Sequence, residues 1–414
     1  MVRRVQKYTV TLNSPSLGII TCGELVIREL NGNIDGIGFR YSPEYLSHPK
    51  CFSIDPIALP LNSKAYQYKV SNKNLPGFLD DYLPDDWGKR VLTRAATISE
   101  KFDFNAHSII DILSLVSKSN IGALSIDEVG VQPSFGLGLE ISELINAENA
   151  AQLVIDPGAN INLEAAKLIH LWSVGSGAAG GARPKSLVHK DDNGFIAKYN
   201  KSNDTFDNAR VELACLKMAK AAGINVFGGF VESGNNQRNI LLLERFDLIG
   251  NSRSHLVSIN SLLKSPENFV DYGMMFRYNN VHAVLKKYSN NIEQDVEQLF
   301  RQMLFNRAIN NIDDHERNFS LINNGEGYQL SPAYDLVPSL TRGEYHAAGY
   351  EYSPFPPTPR SIDGSRNIFG VRKNKTVEIA EQVIEVTRRW MFFAEQSGVS
   401  EKDAEAIESV REKN

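Results

Sequence analysis

Two acids and an amide in the last third of the chain constrain its folding most. The run Asp313-Asp314-His315-Glu316-Arg317-Asn318-Phe319-Ser320 is followed by Leu330-Ser331-Pro332-Ala333-Tyr334-Asp335. An acid precedes an amide by five residues. Residues 319–322 and 328–330 then frame Asn323-Asn324-Gly325-Glu326-Gly327 like a hairpin, which returns a second acid, Asp335, toward Asn318. An amphipathic helix over 296–308 leads into the run. Folded this way, Asp313 can take a proton from a hydroxyl as a general base. Asn318 and Asp335 would offer oxygen ligands to magnesium, which shares its shell between one or two carboxylates and substrate phosphates. Asp and Asn also favour turns and caps, and an Asp–Asn pair at this spacing arises by chance about once in such a chain. The helix before and the hairpin after argue for chemistry. Spacing to Asn318 selects Asp313 over Asp314. His315 reads as a loop-ordering hydrogen-bonder, since no second His or Cys lies near enough for a zinc pair.

A second constellation lies upstream. Gly175, Gly177 and Gly180 spell a GxGxxG, but they run into Ala182-Arg183-Pro184-Lys185 and an apparent hairpin instead of a helix, so a dinucleotide fold is excluded. Backbone N–H groups of such a loop can approach phosphate oxygens, with Arg183 or Lys185 adding charge; the plainer reading is a connector. Lys198 ends the hairpin's second strand, and Glu212 follows on a helix over 208–222 that Gly223 would cap. Protein kinases order a glycine loop, a lysine on a strand and an acidic helix in this way. Leu241-Leu242-Leu243-Glu244-Arg245-Phe246-Asp247 then reads as an apolar strand ending where a kinase offers backbone groups to adenine. Glu244 and Phe246 would contribute backbone atoms, with Asp247 near the ribose.

Composition narrows the class. A chain of 414 residues can hold two or three domains. With 42% apolar and 22% charged residues and a net charge of −5, no global pull toward nucleic acid or anionic membrane is expected. The widely spaced Cys22, Cys51 and Cys215 argue against a disulfide framework. The start, Met1-Val2-Arg3-Arg4, lacks an apolar stretch behind it, and no apolar run approaches the roughly 20 residues of a membrane span. A cytoplasmic location is the expectation. Strands are expected over 5–12, 23–30 and 37–41, with a turn at Asn31-Gly32-Asn33. Helices are expected from residue 74, interrupted by Pro76 and Pro84, then over 109–116, 163–172 and 377–395. Pro354 to Pro359 reads as a surface loop.

With these pieces in order, the chain resembles the HipA family, bacterial serine/threonine kinases that act as the toxin of type II toxin–antitoxin modules. The likeness covers nearly the whole length. Residues 23–41, Leu75-Pro76-Gly77-Phe78-Leu79-Asp80-Asp81-Tyr82-Leu83-Pro84-Asp85 and Asn120-Ile121-Gly122-Ala123-Leu124 look like the N-terminal domain, and Gly180-Gly181-Ala182-Arg183-Pro184-Lys185 like the phosphate loop. The run Asp313-x-His315-x-x-Asn318-Phe319-Ser320 with Pro332-x-Tyr334-Asp335 is the most specific signature. The resemblance implies an α+β, two-lobed protein-kinase-like fold with an additional N-terminal α/β subdomain (1–125), an N-lobe-like region (126–250) and a mostly helical C-lobe (251–414). It implies ATP and Mg2+ as cofactors, Asp313 as the catalytic aspartate, Asn318 and Asp335 as metal ligands, and Lys198 as an ATP contact. Residues Gly180 to Lys185, Glu244, Arg245, Phe246, Asp247, His315, Glu316, Arg317, Asn318, Tyr334 and Asp335 would line the nucleotide, with Glu212 in support. The family's self-inactivating serine is replaced by Ala178; Ser176, two residues earlier, is the displaced candidate for autophosphorylation, with Ser173 five earlier.

The implied partners are a protein substrate and a separate helix-turn-helix antitoxin, with DNA reached only through that antitoxin and no membrane. Two other readings stand beside this one: a small-molecule kinase on the same scaffold, and a catalytically idle scaffold that binds an antitoxin–DNA complex.

Overall fold

A computed structural model of the chain describes residues 2–68, 75–98, 104–116, 120–156, 183–235, 238–264, 276–341 and 343–411. They belong to two compact units, one of residues 1–199, 245–271 and 322–327, the other of 200–244, 272–321 and 328–414. This division cuts across the segments 1–125, 126–250 and 251–414, because residues 245–264 also bond with the N-terminal part of the chain, Arg245 with Asn120, Asp247 with Gly122 and Ser258 with Asp81.

The first unit is built on a five-stranded antiparallel sheet in the order Tyr66–Tyr68, Asn33–Tyr41, Gly18–Leu30, Arg3–Ser14, Leu124–Glu128. All three expected strands are present and longer than the apolar pattern indicated. The Asn31-Gly32 turn has positive φ at both residues (52° and 75°), the backbone a tight two-residue hairpin requires. Tyr8, Val10, Leu12, Leu25, Ile27 and Phe39 send buried side chains into a core closed by Phe78, Leu79 and the helix Ile109–Leu115. A bulge at Arg28/Glu29 accompanies the buried Glu29 carboxylate, which accepts from Ser108 Oγ (2.8 Å) and Ile110 N (3.1 Å) at that helix's first turn. The segment interrupted by Pro84 forms two helices, Gly77–Tyr82 and Asp86–Ile98. Farther along, Lys185–Lys190 and Asn193–Tyr199 form the expected antiparallel hairpin, with Leu139–Glu140 adding parallel to its first strand.

The second unit is mostly helical. Helix Asn208–Ala221 ends in a glycine stop: Gly223 (φ 78°) follows the cap, and Ile224 N donates back to Ala219 O. The strands Gly229–Ser233 and Asn239–Glu244 pair antiparallel. Helices Tyr278–Tyr288 and Ile292–Ile309 follow, and the latter buries Leu299, Phe300, Met303, Leu304 and Phe305. The expected C-terminal helix is two, Lys373–Thr387 and Trp390–Glu395, before a last helix Glu401–Val410. Among the described residues, no helix is long and apolar enough to cross a membrane.

Candidate active site

Helix Ile292–Ile309 delivers the acidic loop. It stops at Asn310, whose left-handed backbone (φ 61°) suits Asn better than most side chains and whose amide donates to Ser339 O (2.8 Å) and Thr341 O (2.9 Å). Next, Asn311 Nδ2 donates to Asp335 O (3.3 Å), tying the entrance of the loop to the second acid.

The two adjacent acids have opposite surroundings. Asp314 is completely buried: its carboxylate accepts from Tyr278 OH (2.7 Å) and Ala348 N (3.0 Å), and His346 Nδ1 lies 3.1 Å away. Asp313, by contrast, has an 86% exposed side chain with His315 Nε2 4.0 Å from its Oδ1. Because His315 Nδ1 accepts from Arg317 N (3.3 Å), the ring proton is assigned to Nε2, facing Asp313. The carboxyl of Asp313 is pushed above the usual aspartate range, by partial burial first, with the charges of Asp335 and Asp314 acting in the same sense and His315 against them. With so exposed a side chain, water screens the burial effect, and repulsion between neighbouring carboxylates is the more secure cause.

Asn318 is buried on the short 3₁₀ turn Glu316–Asn318, and its Nδ2 donates to Asp313 O (2.7 Å). The amide nitrogen so occupied leaves Oδ1 as an acceptor. Tyr334 OH donates to Arg317 O (2.9 Å) and lies 2.7 Å from Ser320 Oγ, which binds the segment ahead of Asp335 to the turn carrying Asn318. Asp335 itself has φ 56°, a costly conformation for a residue with a side chain and one that collects at functional sites. Asp313, Asn318 and Asp335 are thus brought together in the second unit. Their oxygen donors, one carboxylate and one carboxamide beside a free acid, are hard ligands of the kind magnesium takes. Among the described residues, no group of three or more His, Cys, Asp or Glu could hold a metal alone.

The other expected site residues fare differently. Lys185 is buried and pairs with Asp85 Oδ2 at 2.9 Å, while its backbone oxygen accepts from Trp87 Nε1 (3.1 Å). Lys198 stands directly opposite Lys185 across the hairpin, so both leave the same face of the strand pair. Pro184 O accepts from Tyr199 N, and Arg183 precedes it. Glu212 is buried on its helix, and Glu244 ends its strand exposed, its N–H donating to Gly228 O. Arg245 and Asp247 form a fully buried two-pronged pair (2.9 and 2.6 Å), and Asp247 Oδ2 also accepts from Gly122 N (2.7 Å). This commits the Asp247 carboxylate to holding residues 120–122 in the first unit, a correction to its expected place beside a ribose. Gly180, Gly181, Ala182, Ser173, Ser176 and Ala178, with the helix expected over 163–172, lie outside the described residues.

Sequence reasoning missed Tyr278, Asn306, Asn311 and His346, and also Asp85. The Asn310-Asn311 pair after an apolar helix was a usable signal, since Asn is the common non-glycine helix stop. The remaining residues carried none, because their partners are distant in the chain.

An α+β chain whose acidic loop is laced to a returning second acid defines the class. Residues 177–407 match the model of the HipA-like C-terminal domain, and residues 20–127 that of the HipA N-terminal domain. The chain belongs to the HipA family. Its fold is similar to a chain in the complex of HipA, HipB and operator DNA from the Shewanella oneidensis MR-1 toxin–antitoxin system, with a TM-score of 0.66, 18% identity, and 97% of this chain and 94% of the other covered. The Helicobacter pylori proinflammatory kinase CtkA is a slighter match, with a TM-score of 0.44, 12% identity, and coverage of 56% and 87%. No curated protein matches this sequence.

Proposed function

We propose that this protein is an ATP- and Mg2+-dependent serine/threonine protein kinase acting as a HipA-like toxin on a host protein. The observation that carries the reading is the contrast between Asp313 and Asp314: one acid is free at the surface beside Asn318 and Asp335, while its neighbour is buried in hydrogen bonds. An exposed carboxylate with a raised pKa, held next to a second acid and an amide, suits a base that receives a hydroxyl proton.

In the proposed reaction, the substrate hydroxyl oxygen forms a bond to the γ-phosphorus of ATP as the bond to the β–γ bridging oxygen breaks. ADP leaves with that electron pair, and the hydroxyl proton passes to Asp313. Asn318 and Asp335 would hold magnesium, which when bound neutralises phosphate charge. His315 would steady the Asp313 carboxylate through its Nε2 proton. Lys198 is assigned to the nucleotide phosphates; Lys185 is occupied by Asp85. The company of HipB and operator DNA in the Shewanella complex supports a separate helix-turn-helix antitoxin that neutralises the toxin, with DNA met only through it.

The test is mass spectrometry and label transfer from γ-labelled ATP with Mg2+, offering lysate proteins in parallel with small hydroxylated metabolites. Label on protein serine or threonine that disappears in Asp313→Asn supports the proposal, and phosphate on Ser176 would add autophosphorylation. Label on metabolites alone, or equal transfer by Asp313→Asn, overturns it.

A further inference from the structure

We propose that Tyr278 is a positioning residue for Asp313, acting through a directional chain of buried hydrogen bonds that ends on Asp314. The activity part of this inference rests on the kinase reading above; the structural part does not.

The chain begins at the metal-binding segment. Asn311 Nδ2 donates to Asp335 O (3.3 Å) and to Asn306 Oδ1 (3.2 Å). Asn306 Nδ2 donates to Tyr278 OH (2.9 Å), and Tyr278 OH donates to Asp314 Oδ2 (2.7 Å). All four side chains are buried. Every donor after Asn311 points toward the carboxylate, so each bond polarises the next and the orientation of the set is unique. Asn306 takes part with both ends of its amide, which fixes the rotor of the tyrosine hydroxyl so that its proton faces Asp314.

Tyr278 also reaches the far end of the loop. Its ring packs edge-on against Phe319 (5.5 Å between centroids, 83°), the residue after Asn318. One side chain therefore touches both the acid end and the amide end of the 313–319 loop. The direction of the exposed Asp313 carboxylate is inherited from backbone: Ile312 O accepts from Ala347 N (2.8 Å), Asp313 O from Asn318 Nδ2 (2.7 Å), and Asp314 is anchored by its side chain. Removing the tyrosine hydroxyl loosens that anchor while leaving the ring contact with Phe319 intact. A displacement of about 1 Å at a reacting group is enough to cost up to about 100-fold in rate.

Wild type, Tyr278→Phe, Asn306→Ser and the double variant would be compared in two measurements. The first is label transfer from γ-labelled ATP with Mg2+ to the soluble proteins of a bacterial lysate. The second is hydrogen–deuterium exchange of the backbone. Tyr278→Phe is expected to lower kcat by about 10- to 100-fold with the KM for ATP within about twofold of wild type, the signature of a group acting only as the reaction proceeds. Exchange of amides 312–318 should quicken, with helix Glu401–Val410 unchanged. Asn306→Ser, one bond upstream, should act in the same direction, and the double variant should be no worse than Tyr278→Phe, because links of one chain are not additive. Unchanged loop exchange, additive losses, or exchange rising equally in Glu401–Val410 would each overturn the proposal. If wild type transfers no phosphate, the kinase reading fails, and exchange alone decides the positioning role. Should Tyr278→Phe not fold, Asn306→Ser carries both measurements.

Discussion

Asp313 and Asp314 are neighbours that substitution should separate cleanly. Asp313→Asn is expected to lower phosphate transfer by about 10²- to 10⁴-fold. Its side chain is exposed, so the thermal unfolding midpoint should stay near that of wild type. Asp314→Ala strands the Tyr278 hydroxyl, the Ala348 N–H and His346 in the interior, and should cost roughly 3 kcal/mol or more in denaturant unfolding. The reverse pattern would show that the roles of the two acids have been exchanged. A base must be ionised to work, and the Asp313 pKa is raised by partial burial and by Asp335 and Asp314. Transfer should therefore increase with pH through an acid limb above the range of an ordinary aspartate, which a kcat–pH profile would register.

Among the elements, the 185–199 hairpin and the 54–58 segment carry testable charges. Lys185→Met leaves the largely buried Asp85 without its cation and should destabilise the first unit by roughly 3 kcal/mol, read from chemical denaturation. Burial shifts Asp55 and His255 in opposite directions. Burial raises the Asp55 carboxyl to about 6 despite its bonds to Ala58, Ile57 and Phe78 N–H groups, and burial lowers His255 to about 4. The folded state holds the Asp55 proton more tightly than the unfolded chain, so this group makes stability fall as pH climbs from about 4 to about 6. The His255 contribution has the other sign: the unfolded chain binds the extra proton, and stability rises from about pH 4 to about 6.5. Wild type should be nearly flat across this window as far as these two groups decide it. Asp55→Asn should reveal a positive slope in unfolding experiments at several pH values, and the absence of that slope would contradict the assignment.

For the molecule as a whole, the proposed kinase reading gives the cation two protein ligands, Asn318 and Asp335. A chelator should abolish phosphate transfer and added Mg2+ restore it, while the melting temperature of the nucleotide-free protein changes little, because weak binding adds little stability by mass action. In cells, expression should arrest growth, with co-expression of a separate helix-turn-helix protein relieving the arrest and Asp313→Asn failing to cause it.

Local chemistry was readable directly from the chain. The Asp313–Asn318 spacing, the Asn31-Gly32 turn and the glycine stop at 223 depend on residues a few positions apart, where stereochemistry and hydrogen-bond reach act without help from the rest of the fold. Partner choice across the chain was not readable. Tyr278 finds Asp314 across 36 residues and Gly122 finds Asp247 across 125, and composition holds no trace of either pairing. Sequence alone therefore determined the family of the chain and where its acid–amide run, turns and helix stops sit. Tertiary structure decided which acid is free and which is buried, because burial depends on distant segments closing over a side chain.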